Sequence, residues 1–341
     1  MTGDVLNFRA ALLAWYGANA RDLPWRRTRD PYVVWVSEIM LQQTRVAAVV
    51  EYFERFLKVF PTIEALAEAE EENVLAQWSG LGYYRRARMM HRAARMVVGE
   101  HGGRMPESAV KLRELPGIGE YTAAAVASIS HGEAVPVVDG NVERVLQRVY
   151  GPELAADGGK PAVREFREAA KKLLDGQRPG EFNQAMMELG AMVCLPRGPL
   201  CGECPVREHC RTQGEHETGP AKQMRSQQVA YALMQRNSGR EMEILLRQRG
   251  EDESQMPGMW ELPSIPDGAV PEEQMLLTVR HSITNTNYYV TIYLLEAGQH
   301  RELRVEAEQM RWVKAQELDE LALTGLARKV LKRVKIVPGM A

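Results

Sequence analysis

Outside the window 194–210 the chain has no cysteine. A chain of 341 residues with nothing secretory about it has little need of a disulfide frame. No apolar run approaches the length of a membrane span, so a membrane protein is not expected. Its N-terminus (MTGDVLNFRAALLAWYG) is too polar for the apolar core of a signal peptide and opens an amphipathic helix, which points to the cytoplasm. Charge of one sign is not in excess, since the formal net charge is −2, and this argues against a bulk polyanion binder. There is no internal repeat and no low-complexity stretch. What remains is an ordinary globular composition, 45% apolar and 26% charged, long enough for about two domains.

The four cysteines stand at Cys194, Cys201, Cys204 and Cys210, spaced C-x6-C-x2-C-x5-C in a loop-rich stretch. Zinc sites usually show two short C-x2-C pairs or include histidines, and this run has one such pair with uneven outer gaps. All-thiolate ligation from one short loop also suits a cubane iron–sulfur cluster. From spacing alone an iron–sulfur cluster, a zinc ion and unliganded thiols all stay open.

Texture divides the chain. Up to about residue 212 the apolar residues recur with helical period, and the spacing predicts helices near 4–18, 31–45, 46–58, 71–78, 85–101, 108–114, 120–131, 140–149, 161–174 and 181–190. A polar linker is expected over 213–226. Beyond it QVAYALMQR, EMEILLRQR, NYYVTIYLLEA and EQMRWVKAQEL read as strands, with helical segments near 271–280 and 316–335, an α+β domain over 227–341. Acidic residues from Glu64 to Glu72 and arginines from Arg85 to Arg95 read as solvated helix faces.

Residues 112–130 (LRELPGIGEYTAAAVASIS) carry the most specific backbone motif. A short helix meets Pro116-Gly117-Ile118-Gly119 and a second helix opens at once. Gly117 and Gly119 permit a tight hairpin whose free N–H groups, at a helix N-terminus, suit a DNA phosphate. It lacks the preceding strand and the third glycine of a dinucleotide fingerprint. Taken alone it is equally an αα-hairpin turn.

LPGIG between two helices resembles the helix–hairpin–helix of base-excision DNA glycosylases, and the cysteine loop resembles the 4Fe-4S loop of their endonuclease III branch. Within that branch LPWR (23–26), SEIMLQQTRV (37–46), GLGYYRRAR (80–88), VDGNVERVL (138–146) and FNQAMMELGAMVC (182–194) are similar to the MutY family of adenine DNA glycosylases. MPGMWELPS (256–264) and the segment starting VRHS resemble the family's Nudix-like domain more weakly. The resemblance implies an all-α helix–hairpin–helix glycosylase part with a 4Fe-4S cluster. Its six-helix region would cover about 25–135 and its iron–sulfur region about 1–24 plus 136–212, followed by an α+β Nudix-like domain. It further implies removal of adenine mispaired with 8-oxoguanine in double-stranded DNA, at the bacterial nucleoid by function; a monomer is the default expectation. Two alternatives compete: a bifunctional pyrimidine-lesion glycosylase, and a non-enzymatic iron–sulfur DNA-binding module.

Cleaving an N-glycosidic bond needs an acid for the leaving base and a negative charge beside the cationic sugar, so two carboxylates in unlike environments. Glu38 follows the apolar run Val33–Val36, where burial would keep a proton available. By itself it reads as an exposed helix glutamate; the resemblance makes it the acid that protonates adenine N7. Asp139 ends the run VPVV before a helix and reads as an N-cap that stays ionised. The resemblance makes it the partner of the sugar cation. Tyr121 stands where bifunctional relatives place a Schiff-base lysine, which implies a monofunctional enzyme. In the resemblance Tyr121 hydrogen-bonds near Asp139 and Asn141. Arg26 and Gln184 match residues contacting the flipped adenine, and Gln43 and Tyr83 match the wedge beside 8-oxoguanine.

The family often reads 8-oxoguanine with Phe-Ser-His in a C-terminal loop. Here Ile283, Thr284 and Asn285 stand in that place, and Thr284 keeps a hydroxyl able to bond the lesion. The REUxEE helix of Nudix hydrolases is missing near VPEEQMLLTVRHS, so this domain is expected to bind rather than hydrolyse.

Overall fold

The computed structural model describes residues 2–155, 161–216, 224–238, 241–250, 252–253, 255–266, 269–283, 285–299 and 309–336. Two units are seen. Met1–Glu68 with Arg92–Gly219 form the first, and Ala69–His91 with Pro220–Ala341 form the second. The single division expected at 213–226 is therefore not the one the fold makes: a helical segment early in the chain joins the C-terminal unit. Residues 217–223 of the expected linker lie outside the described residues, and the first strand starts at Arg225.

The helices are α1 Thr2–Asn19, α2 Pro31–Leu41, α3 Val46–Val59, α4 Ile63–Glu68, α5 Glu71–Trp78, α6 Arg85–His101, α7 Ala109–Leu112, α8 Glu120–His131, α9 Gly140–Tyr150, α10 Val163–Leu173 and α11 Pro179–Met192. Asp30 starts α2 by accepting from the N–H groups of Tyr32 and Val33, with Pro31 preset for the first turn. Tyr32, Val34, Trp35, Val36, Ser37, Glu38, Ile39 and Met40 are all buried, so α2 is an interior helix. It packs on α8, whose residues Thr122–Ser128 are all buried; small alanines allow that approach. Gly132, at φ 71, supplies the left-handed C-cap of α8. A second core gathers Phe8, Leu12, Val142, Leu146, Phe166, Phe182 and Leu189 from α1, α9, α10 and α11, with Cys194 and Cys204 against its edge.

One expected helix limit changes here, and one helix is added. Helix 31–45 stops at Leu41, because Gln43 takes a left-handed conformation (φ 56) and turns the chain. The short α4 was not foreseen, since six residues hold too little period to register.

In the second unit a sheet runs β3-β2-β1-β6-β5, with β4 on β1 and β7 on β2. The strands are β1 Arg225–Ser238, β2 Glu241–Gln248, β3 Trp260–Glu261, β4 Ser264–Ile265, β5 Met275–Ile283, β6 Thr286–Leu295 and β7 Met310–Lys314. Only β1 and β6 are parallel among the paired strands described. Alternation places Leu233, Ile244 and Leu246 against helix α12 (Gly325–Arg333), and Ala232, Met234 and Leu245 in a separate cluster. The helix expected near 271–280 is a strand, β5. Leu277, Val279, His281 and Ile283 alternate inward at period two and pair with β6 through a short turn. The helix expected over 316–335 is broken into a 3-10 turn, Ala315–Glu320, and α12, with Thr324 capping the latter. No helix among the described residues is long and apolar enough to cross a membrane.

Candidate active site

A cavity of about 740 Å3 opens in the first unit, lined from α2, the hairpin before α8, the start of α9 and α11. Glu38, Tyr121, Asp139, Asn141, Arg26, Gln184, Gln43, Gly117 and Gly119 all reach it. Tyr83 belongs to the second unit, exposed and at φ 50. Thr284 lies outside the described residues; its neighbours Ile283 and Asn285 end β5 and make the turn to β6.

Glu38 is 5% exposed. Burial pushes its carboxyl up to about 7, the charge of Asp139 adds to this, and Tyr121 and Arg26 pull the other way. The Tyr121 hydroxyl donates to Glu38 Oε2 at 2.6 Å and also meets Met187 Sδ at 3.4 Å. From the first turn of α8 the phenol reaches across to α2, so the partner of its hydrogen bond is Glu38, with the charge of Asp139 near enough to act on both groups. Burial, together with the two carboxylates, raises the tyrosine hydroxyl well above its usual value, so it stays a donor.

Asp139 caps α9 as read from sequence. Its Oδ1 accepts from Val142 N at 2.8 Å and its Oδ2 from Asn141 Nδ2 at 2.9 Å, so both carboxyl oxygens are held in place at the helix N-terminus. Asn141 is held in turn by Arg144, whose Nη2 donates to Asn141 Oδ1 (2.9 Å) and to Gly190 O (2.7 Å). The same guanidinium donates from Nε to Cys194 O at 2.8 Å.

Three supports of this cavity were not foreseen. Glu188 is 1% exposed. Burial raises its carboxyl, but paired hydrogen bonds from Arg21 and Arg26 outweigh that and set it at about 2. Arg26 is thus anchored by a carboxylate rather than extended freely toward a base. Glu188 follows Gln184 by four residues on α11, the same face, and that spacing was the available signal. Asn183 pins the extended segment before Asp139: it accepts from Val137 N and donates to Val135 O and Ser128 Oγ. Gly190 lets α11 touch α9, since a Cβ there would stand 2.6 Å from Asn141 Cβ. Gly190→Ala is therefore expected to displace Asn141 and the cap of α9. It should destabilise the protein by about 1–3 kcal/mol, the usual cost of overpacking, and slow any chemistry at Asp139. Thermal unfolding and single-turnover rates check both.

In the hairpin, Gly117 takes φ 76, which the turn requires. Gly119 does not need glycine for its conformation (φ −84, ψ 179), and nothing lies within 4 Å of a Cβ built there. Its bare Cα instead leaves the N-terminus of α8, which has no side-chain cap, open to close approach from outside.

The four cysteines are free and half-buried. Burial pushes Cys204 up to about 11, and Cys194, Cys210 and Cys201 each add to it, as neighbouring thiols do. Arg148, 2% exposed, donates to Cys194 Sγ at 3.3 Å, to the carbonyls of Leu195 and Pro196 and to His216 Nδ1. Those partners carry no formal charge while the thiols are protonated, so the buried guanidinium suits a cysteine set held as thiolates. No three His, Cys, Asp or Glu among the described residues are arranged for a single metal ion.

Residues 36–174 match the HhH-GPD superfamily base excision DNA repair protein family, and residues 229–333 match the NUDIX domain. The human adenine DNA glycosylase is 50% identical over 62% of this chain and 40% of its own length. That of Arabidopsis thaliana is 36% identical over 98% of this chain and 58% of its own length. The chain thus spans roughly two- to three-fifths of these curated relatives. The structure of a thermostable thymine-DNA glycosylase is similar with a TM-score of 0.57 and 29% identity, over 62% of this chain and 97% of that one. A trapped endonuclease III–DNA covalent intermediate, at TM-score 0.53 and 21% identity, shares the fold over 62% of this chain and 97% of its own. The motifs around the cavity and the two matched domains, in this order, make the chain similar to adenine DNA glycosylases, with an HhH-GPD part followed by a NUDIX-type part.

Proposed function

We propose that the protein is a monofunctional adenine DNA glycosylase. It hydrolyses the N-glycosidic bond of adenine opposite 8-oxoguanine, or guanine, in duplex DNA and acts as a monomer. One observation carries the reading: a single cavity holds a buried carboxyl at about 7, Glu38, and a helix-capping carboxylate, Asp139. Glu38 delivers its proton to the leaving base, and Asp139, held by hydrogen bonds from Val142 N and Asn141, stands beside the developing sugar cation. Gln184 Oε1 is occupied by the Tyr16 hydroxyl at 3.1 Å, which leaves its amide N–H groups for a base acceptor. Arg26, locked by Glu188, contributes positive charge that keeps Glu38 from rising further. Gly117, Gly119 and the open start of α8 receive a phosphate. Gln43 and Tyr83, both left-handed, wedge into the vacated stack, and Thr284 reads the lesion.

Incubation with an adenine:8-oxoguanine duplex, developed with and without hot alkali, tests this. The expected product is an intact strand with an abasic site that breaks only in alkali. Strand cleavage without alkali, with a borohydride-trapped lysine adduct, would make the enzyme bifunctional. Binding with no base release would reduce it to a DNA-binding module.

The four cysteines are proposed to hold a 4Fe-4S cluster, in keeping with their all-sulfur donor set and with Arg148 beside Cys194. When bound, such a cluster supplies a rigid, net-negative anchor for the loop 194–210. Purified protein is expected to be brown, with about four iron and four labile sulfide per chain. Zinc without labile sulfide would refute the assignment.

A further inference from the structure

Arg85, Arg92 and Arg95 are exposed, as a solvated helix face requires, but Arg86 and Arg88 of the same basic stretch turn inward. In the second unit Arg88 pairs with Glu71 at 2.8 Å and donates to Pro257 O at 2.5 Å. Arg86 lies over the rings of Trp78 (5.3 Å) and Tyr83 (5.5 Å) and donates to the carbonyls of Leu81 and Gly82. Trp78 Nε1 donates to Gly82 O as well.

These contacts surround a strained turn. Gly80, Gly82 and Tyr83 have φ of 108, 71 and 50. Glycine takes such values freely, whereas a tyrosine in the left-handed region is strained and persists only where its surroundings impose it. The residues on either side of the turn show what does so. Ser79, fully buried, donates from Oγ to Leu323 O at 2.8 Å and accepts from Arg328 Nε at 2.8 Å. Tyr84, 3% exposed, donates from its hydroxyl to the same Leu323 O at 2.9 Å and accepts from Gly80 N at 3.2 Å. Leu323 is itself fixed. Ala322 O and Thr324 N bracket it with two hydrogen bonds to the Trp260 backbone, and Thr324 caps α12, which carries Arg328.

We propose that the C-terminal region presets the wedge. The Leu323 carbonyl, with Arg328 behind Ser79, clamps both sides of the Gly80–Tyr83 turn and holds Tyr83 in its left-handed pose before DNA arrives. Ser79, Tyr84 and Arg328 are then positioning residues for opposite-base selection, acting through Tyr83, although Thr324 and Arg328 lie in the stretch matched as a NUDIX domain. The inference rests on the stack-filling role given to Tyr83 above.

The test uses the full chain, with Ser79→Ala and Tyr84→Phe each made alone and in a Tyr83→Ala background. The readout is the ratio of single-turnover rates on adenine:8-oxoguanine and adenine:guanine duplexes, which a general loss of stability would leave unmoved. Each single substitution is expected to lower the ratio by roughly three- to tenfold, the worth of one buried hydrogen bond. In the Tyr83→Ala background neither should lower it further. A wild-type ratio in Tyr84→Phe, which keeps the ring and folds even if Ser79→Ala does not, overturns the proposal. So does a loss that persists without the Tyr83 ring. A wild-type ratio in Tyr83→Ala alone would instead remove the stack-filling role, and the proposed function would need a different wedge.

Discussion

Glu38→Gln is expected to bind an adenine:8-oxoguanine duplex within a few-fold of the unaltered protein while its single-turnover excision rate falls by about two to four orders of magnitude. The amide keeps the shape of the side chain and can still accept from the Tyr121 hydroxyl. What it loses is an acidic proton. The pH profile carries the same argument with a definite sign. Glu38 sits at about 7 in the folded protein, so the acid form dominates below that value and is lost as pH rises through it. Excision should therefore decline above about pH 7. Because the Tyr121 hydrogen bond lowers the Glu38 pKa, Tyr121→Phe should move this decline to higher pH. A profile that stayed flat to pH 9, or an active Glu38→Gln, would assign the acid elsewhere.

Asp139→Asn should fold normally and be nearly inactive. Asparagine is as good an N-cap as aspartate, and its Oδ1 can keep the bond from Val142 N, so unfolding temperature should change little. The change removes one negative charge at the point where the sugar becomes cationic. By analogy with other groups that stabilise charge in a transition state, such a charge is worth about 3–4 kcal/mol, roughly 10²–10³ in rate. Comparing the unfolding midpoint with single-turnover rates separates the two roles of this residue. If both fell together, Asp139 would matter as a cap alone.

Much of the site could be read in the sequence, because its residues sit in short segments whose local conformation their neighbours dictate. The apolar run before Asp139 and the helix after it make a capping position wherever the segment lies, and the structure has the cap. Pro116-Gly117-Ile118-Gly119 between two helices can form little but a hairpin, and Gly117 occupies the left-handed region it requires. The helix-rich first part and the strands at QVAYALMQR and NYYVTIYLLEA followed from period alone. Period misled at 271–280, where a short apolar run is compatible with helix or strand and pairing with β6 made the choice.

The sequence by itself determined the candidate carboxylates, the hairpin and most of the helices and strands. Each of those depends on side-chain type and on interactions within a few positions. Tertiary structure decided how acidic Glu38 is, since burial, Asp139, Arg26 and Tyr121 come together from four separate segments. It decided that the partner of the Tyr121 hydroxyl is Glu38, and that Arg26 is bound to a buried Glu188 162 residues away. It also decided that Ala69–His91 belongs with the C-terminal unit, through donors on Ser79 and Tyr84 that meet one carbonyl 244 and 239 residues further on. Local pattern holds no record of such distances, because desolvation and long-range hydrogen bonds exist only once the chain has closed around them.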